Sequence, residues 1–324
     1  MAKFEMFACF QDKMVLQRES DVKIWGFADE GTSLNMEFCG KEYTAAADNE
    51  GEFVFNIRTN EAGGPFSMKI CSGEDTLTIN DILIGDVYII SGQSNMELPV
   101  ERTIDLIGPR LSEINYPEIR EFRVPEQICF GRTERQFRGG MWLKASNQDD
   151  ILKMSATGFN FAENVHISEH IPIGLVNNAI GGTPIEAHLP EDIIKQYKIY
   201  DEELEKLKDD SFVEGVKEYD ANDLSDWYTK LDETDPGIIE GKAVYAETDF
   251  DDSDWKAVNI PGMFYDTELE DFHGSVWFRK EFYIPENYNL HGVMLRLGAM
   301  VDGDKVYLNG IQVGSVDYCY PPRR

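Results

Sequence analysis

Groups that make chemistry easy to read are scarce in this sequence. Its 324 residues include only 5 histidines and 5 cysteines. The cysteines (Cys9, Cys39, Cys71, Cys129 and Cys319) are odd in number, scattered and without a CxxC pair. A disulfide framework and a metal site are therefore not expected, and reduced core thiols in a reducing compartment are. Positive charge is also short, with 30 Lys and Arg against 60 Asp and Glu, a net charge of −30. Such a field repels nucleic acid and anionic membrane surfaces, which excludes both as partners. No apolar run approaches the ~20 residues of a membrane span. The first ten residues, Met1 to Phe10, lack the apolar core and cleavage site of a signal peptide. A cytoplasmic location is expected of the sequence as written, and a secreted or periplasmic one if a leader has been removed.

What is present is folded, globular material, 42% hydrophobic and 12% aromatic, long enough for two or three domains. Residues 1–83 alternate in short strands, with turn signals at 48–51 and 61–65, and predict a small antiparallel β-sandwich. Residues 84–200 alternate strand and helix, which argues for a parallel sheet flanked by helices. A strand at 87–90 comes first, then a helix over 155–170, a strand within 172–178 and a tight loop at 181–184. Residues 201–238 are charged and predict a helical connector with a solvated face. From 239 to 324 the pattern is β again, with residues 276–282 and 293–297 standing out as strands and Asn309-Gly310 as a hairpin turn.

The run Ile84-Gly-Asp-Val-Tyr-Ile-Ile-Ser-Gly-Gln-Ser-Asn-Met96 carries the most information. A buried strand ends in a polar loop with Ser94 near its tip, and open α/β sheets do their chemistry at the carboxyl ends of strands. Gly92 gives the turn freedom, and Gln93 and Asn95 are candidates to hold it by side-chain hydrogen bonds. A nucleophilic serine there would have backbone N–H groups nearby for an oxyanion. The plainer alternative makes Ser94 a helix N-cap, the commoner outcome on spacing alone. Gly181-Gly182 follows the second parallel strand, so its backbone can approach a ligand closely and supply a second oxyanion donor, or it is a plain turn.

A serine nucleophile also needs a base. Of His166, His170, His188, His273 and His291, only His188 falls near this crevice by sequence. For each of the five a packed or surface imidazole is the ordinary reading. His166 and His170 are spaced i, i+4 without the flanking Glu of a zinc protease motif.

Gly92-Gln-Ser-Asn-Met96 and Ala179-Ile-Gly-Gly-Thr-Pro-Ile-Glu-Ala187 resemble two signature blocks of the sialate O-acetylesterases. These are SGNH-type (GDSL-like) carbohydrate esterases related to acetylxylan esterases. Residues 14–18 and 61–65 resemble that family's leading β-domain, and residues 250–314 its inserted jelly roll, which is similar to a galactose-binding-like domain. The resemblance implies an α/β fold: an SGNH-type sheet with an N-terminal β-sandwich and an inserted, incomplete jelly roll over 239–324. It implies hydrolysis of acetyl esters on carbohydrates through a Ser94 acyl-enzyme, with no metal and no cofactor. Gln93, Asn95, Gly181 and Gly182 would support the oxyanion hole. The family's Gln-Gly-Glu-Ser-Asn-like block and Asp-x-x-His pair are expected beyond Arg324, so the chain alone is expected to be weak or silent. Sialic acid and xylan-type esters both fit. An incomplete jelly roll would expose strand edges, inviting self-association or a retained C-terminal fragment. The alternative function is a non-catalytic carbohydrate-binding protein around a vestigial hydrolase core.

Overall fold

A computed structural model describes residues 4–317 apart from 128, 132, 266 and 302, together with 322–323. The expectation for Cys319 lies outside the described residues. Cys9, Cys39, Cys71 and Cys129 are free thiols, and burial pushes the Cys9 thiol up to about 12. Two compact units divide the chain, residues 1–210 and 211–324.

The first unit begins with β1 (Phe4–Met6), β2 (Val15–Gln17), β3 (Asp21–Ala28), β4 (Ser33–Phe38), β5 (Lys41–Ala46), β6 (Glu52–Arg58), β7 (Gly63–Ser72) and β8 (Asp75–Gly92). Strand β4 shows why these residues pair: Leu34, Met36 and Phe38 are buried, whereas Ser33, Asn35 and Glu37 face solvent. Strands β1, β3 and β6 form a three-stranded antiparallel sheet. Its Phe4, Ile24, Phe53 and Phe55 share a core with Leu34, Met36, Met68 and Ile70 of the larger sheet.

Downstream come α1 (Ser94–Glu97), α2 (Ile104–Ile107), β9 (Tyr116–Arg123), β10 (Met141–Ala145), α3 (Gln148–Lys153), α4 (Ala156–Glu169), β11 (Ile173–Ala179) and α5 (Glu191–Ile194). The large sheet has eight strands in the order β10-β9-β11-β8-β7-β4-β5, with β2 also on β8. Strand β8 spans 18 residues and changes partner midway. Residues 75–84 pair antiparallel with β7, and residues 86–92 run parallel with β11. The boundary expected between residues 83 and 84 therefore falls inside one strand. Gly85 sits at the pivot. A Cβ there would come within 2.0 Å of the Pro172 carbonyl oxygen, the same oxygen that accepts from the Asp86 N–H at 3.0 Å.

Helix α4 starts where expected. Ser155 caps it by accepting from the Gly158 N–H at 3.0 Å, and Phe159 and Ala162 face the core with Ile90, Ile173 and Leu175. Together with β9, β11 and the second half of β8, this is a mixed α/β arrangement on a large central sheet.

Strand β9 buries two charges in succession, on opposite faces. Arg120 is 2% exposed. It donates to Asp81 Oδ1 at 2.7 Å, the Lys13 carbonyl at 2.8 Å and the Pro117 carbonyl at 3.2 Å, and also to the Asp81 carbonyl. Lys144 Nζ adds a second cation 3.3 Å from Asp81 Oδ2. Burial alone would raise the Asp81 carboxyl, but Arg120 and Lys144 outweigh it and hold the group below its ordinary 3.8.

The connector is helical, as α6 (Asp201–Lys206) and α7 (Asp210–Thr234). In the second unit the strands are β12 (Ile238–Ile239), β13 (Lys242–Ala243), β14 (Gly298–Ala299), β15 (Asp304–Leu308), β16 (Ile311–Val316) and β17 (Pro322–Arg323). They form three two-stranded pairs. Asn309 and Gly310, with φ of 49° and 81°, make the expected tight turn between β15 and β16. Among the described residues the segments 276–282 and 293–297, expected as strands, carry no ladder. Without a partner strand their backbone groups have no sheet to join, and among the described residues they add no strand to the three pairs.

Arg120→Met would leave a carboxylate and three carbonyls short of a donor. We expect a destabilisation of about 3 kcal/mol, read from the chemical denaturation midpoint at pH 7. The depressed Asp81 group stabilises the fold above pH 3.8 and stops doing so as pH falls through its folded value. The gap between wild type and Arg120→Met should therefore narrow below pH 4. A gap that stays constant with pH contradicts this assignment.

Candidate active site

Three parallel strands end on one edge of the sheet: β8 at Gly92, β11 at Ala179 and β9 at Arg123. Beyond β8 the chain turns through Gly92, at φ 131°, into the one-turn helix α1. Gln93 is its N-cap residue and makes no side-chain cap, so Ser94 is the first helical residue and not the cap. The cap alternative fails because the carbonyl at the cap position, which accepts from the Met96 and Glu97 N–H groups, is that of Gln93. Ser94 is half-buried, and it lines an open depression of about 360 Å³ with Gln93, Asn95, Met96 and Thr157.

The expected residues are brought together. The Ile180 N–H donates to the Gly92 carbonyl at 3.0 Å, joining the two loops. Gln93 Nε2 donates to the Thr183 carbonyl at 3.3 Å. Asn95 is held through its carbonyl, which accepts from Thr157 Oγ1 at 2.9 Å. Gly181 lies against Ser94: a Cβ on it would stand 3.4 Å from Ser94 Oγ and 2.7 Å from Glu97 Oε2. The Gly181 N–H donates to Glu97 Oε2 at 2.5 Å. Gly182, at φ 76°, has open space around its Cβ position, and among the described residues no acceptor takes its N–H.

His188 reaches the crevice but is engaged elsewhere. Nδ1 lies 3.2 Å from Ser91 Oγ and Nε2 lies 3.1 Å from Thr183 Oγ1. His166 Nδ1 donates to the Ile171 carbonyl at 2.8 Å, and its ring packs on Tyr116. Among the described residues no histidine is hydrogen-bonded to Ser94, no cluster of three or more His, Cys, Asp or Glu side chains could hold a metal ion, and no helix is long and apolar enough to cross a membrane.

Sequence reasoning missed the supports beneath and beside the turn. Glu121 is 0% exposed. Its carboxylate accepts from the Ser155 N–H at 2.9 Å and from Asn177 Nδ2 at 3.0 Å. Ser155 Oγ in turn donates to the Met96 carbonyl at 2.5 Å, and the Ala156 N–H to the Leu98 carbonyl at 2.8 Å. The start of α4 thus clamps α1 from below. Glu97, three residues after Ser94, pairs with Arg123 at 3.2 Å. Its helical i, i+3 spacing from Ser94 was the available signal.

Comparison with known proteins finds a related family over part of the chain. Residues 84–217 match the model of a carbohydrate esterase family, the sialic acid-specific acetylesterases. The match contains both Ser94 and the Gly181-Gly182 loop. Over these residues the chain is similar to the sialate O-acetylesterases. A sialate O-acetylesterase of Rattus norvegicus is 29% identical over 199 residues, covering 56% of this chain and 36% of the relative. One of Homo sapiens is 27% identical over 200 residues, covering 57% and 38%. The matched region is therefore less than two-fifths of either relative's length. A crystal structure of a carbohydrate acetylesterase from Xanthomonas citri superposes with a TM-score of 0.56 at 29% identity, covering 59% of this chain and 44% of that one.

Desolvation raises the Glu121 carboxyl above its ordinary 4.5, against the lowering effect of its bonds from Asn177 and Ser155 and of the Arg123 charge. A raised group favours the folded state while protonated, and that contribution is lost as pH rises through its folded value. Relative to the non-titrating Glu121→Gln, wild type should therefore lose unfolding free energy as pH rises above 4.5. Parallel stability profiles for the two proteins would show that Glu121 is not perturbed.

Proposed function

We propose that this chain carries the acyl-forming half of a carbohydrate O-acetylesterase, with Ser94 as nucleophile. One observation carries the reading. The side chain that starts α1, at the carboxyl end of a parallel strand, faces a glycine loop at the end of the next strand, close enough that a Cβ on Gly181 would touch Ser94 Oγ at 3.4 Å. The family match over residues 84–217 supports the substrate class, an acetyl ester on a sugar.

In this reading Ser94 Oγ attacks the acetyl carbonyl carbon. The carbonyl oxygen becomes an oxyanion, stabilised by backbone N–H donors aimed at it. Ser94 and Gly182 supply these, because the Gly181 N–H is engaged by Glu97. Collapse breaks the ester bond, the sugar leaves as an alcohol and the acetyl group stays on Ser94. Water then attacks this acyl-enzyme and releases acetate.

The proton of Ser94 Oγ must move to a base, and then to the leaving sugar oxygen. The two bonds on His188 leave it oriented by Ser91 and Thr183, away from that role. Slow turnover by this chain is therefore expected. The same observation favours the second reading, a sugar-binding protein without catalysis.

The test is hydrolysis of an acetylated sugar, followed by acetate release. Ser94→Ala should reduce the rate to background. Loss of a general base costs about 10²–10⁴-fold, and His188→Ala should fall short of that. An unchanged rate in Ser94→Ala removes the nucleophile assignment. Sugar affinity that survives Ser94→Ala, in a protein that never hydrolyses, favours the binding reading.

A further inference from the structure

Glu97 touches both the Gly181 loop and the end of β9. Oε2 accepts from the Gly181 N–H, and Oε1 from Arg123 Nη2 at 3.2 Å. The carboxylate belongs to α1, which follows β8. A single group therefore ties together the ends of the three strands that form the crevice, and it does so on the helix face that carries Ser94. A Cβ on Gly181 would meet Glu97 Oε2 at 2.7 Å and Ser94 Oγ at 3.4 Å, so carboxylate and nucleophile flank the same backbone atom.

An anion here has two consequences. First, it reserves the Gly181 N–H. A tetrahedral oxyanion could use that donor only by displacing a carboxylate already bonded to it, and like charges at such range repel. Second, it fixes the loop. A charge-assisted bond to a backbone amide is about twice as strong as a neutral one, and Arg123 holds the carboxylate from the other side. A loop that begins with two glycines has the most freedom to lose, so its geometry depends most on such a tether.

We infer that Glu97, held by Arg123, is a positioning residue of the esterase centre: it pins the Gly181 amide beside Ser94 and leaves Gly182 and Ser94 as the donors that receive the acyl oxygen. This inference rests on the esterase reading above, and its test separates the two.

Three variants of this chain are compared with wild type: Glu97→Ala, Glu97→Gln and Ser94→Ala. The first readout is the amide resonance of Gly181 in ¹⁵N-glycine-labelled protein. It should move upfield in Glu97→Ala, stay near its wild-type position in Glu97→Gln, which keeps an acceptor oxygen, and be unaffected by Ser94→Ala. The second is the Ser94-dependent part of acetyl-ester hydrolysis. Misplacing reacting groups by about 1 Å costs on the order of 10²-fold, so Glu97→Ala should lower kcat by up to that factor with little change in KM. Glu97→Gln should recover most of the loss. A Gly181 resonance unmoved in Glu97→Ala overturns the inference, whatever the rates. So does a Ser94-dependent kcat within twofold of wild type in Glu97→Ala. Hydrolysis indifferent to Ser94→Ala, with the Gly181 resonance still responding to Glu97, instead overturns the esterase reading. In that outcome the tether stands without a catalytic purpose.

Discussion

Two neighbouring residues of β9, Arg120 and Glu121, bear opposite charges and are both buried. Strand alternation sends them to opposite faces, so they do not neutralise one another. Each must find its own partners, because a buried charge without them is costly. Arg120 finds them in Asp81 and in carbonyls of the N-terminal β region. Glu121 finds them in Asn177 of β11 and at the start of α4. One strand thereby holds the N-terminal β region on one face and the start of α4 on the other. Its charges act as registration marks: a shift of one residue along β9 would exchange the two faces and orphan both groups.

The reactive turn inherits its position from the Glu121 side. Glu121 orients Ser155, Ser155 Oγ holds the Met96 carbonyl, and Thr157 holds the carbonyl of Asn95. A four-residue helix is too short to be stable by itself. Here it is held by side chains at the start of a fourteen-residue helix whose own position is set by Phe159 and Ala162 in the core. The Ser94 hydroxyl is left out of every one of these bonds. A serine that serves as a cap spends its oxygen on the backbone. At Ser94 the backbone is secured by other groups, and the oxygen stays available.

How much of this could be read in the sequence depended on the range of the interaction. Gly92-Gln-Ser-Asn-Met and the Gly181-Gly182 pair were legible because strand ends, turns and glycines leave local signatures. The helix beginning at Ser155 and the Asn309-Gly310 turn were legible for the same reason. Glu121 and Arg120 were not, since their partners lie 34, 56 and 39 residues away, and an isolated Arg-Glu pair in a strand reads as a solvated edge. The continuity of β8 was hidden by its change of partner at Gly85: the texture shifts from antiparallel to parallel there while the strand does not end. In the second unit, alternation at 276–282 announced a strand, but a ladder needs a partner and alternation supplies none.

Glu97 shows why a short motif understates a site. The signature run names the proposed nucleophile, Ser94, and its immediate neighbours, and one helical turn later stands a carboxylate that engages one amide of the opposite loop. In the proposed esterase reading, a negative charge beside the space where an acyl oxyanion forms works against catalysis unless the charge is spent elsewhere. It is spent here on a backbone N–H and a guanidinium, and its cost falls on Gly181, a donor that geometry alone would have assigned to the oxyanion. The loop therefore divides its labour between two glycines: Gly181 is fixed by Glu97, while Gly182 has an open Cβ position and a φ that other residues rarely adopt, and in the proposed esterase reading its amide is the one left for the acyl oxygen. A Gly-Gly pair suits both positions, since a side chain at the first would press on the Glu97 carboxylate and the second adopts left-handed backbone.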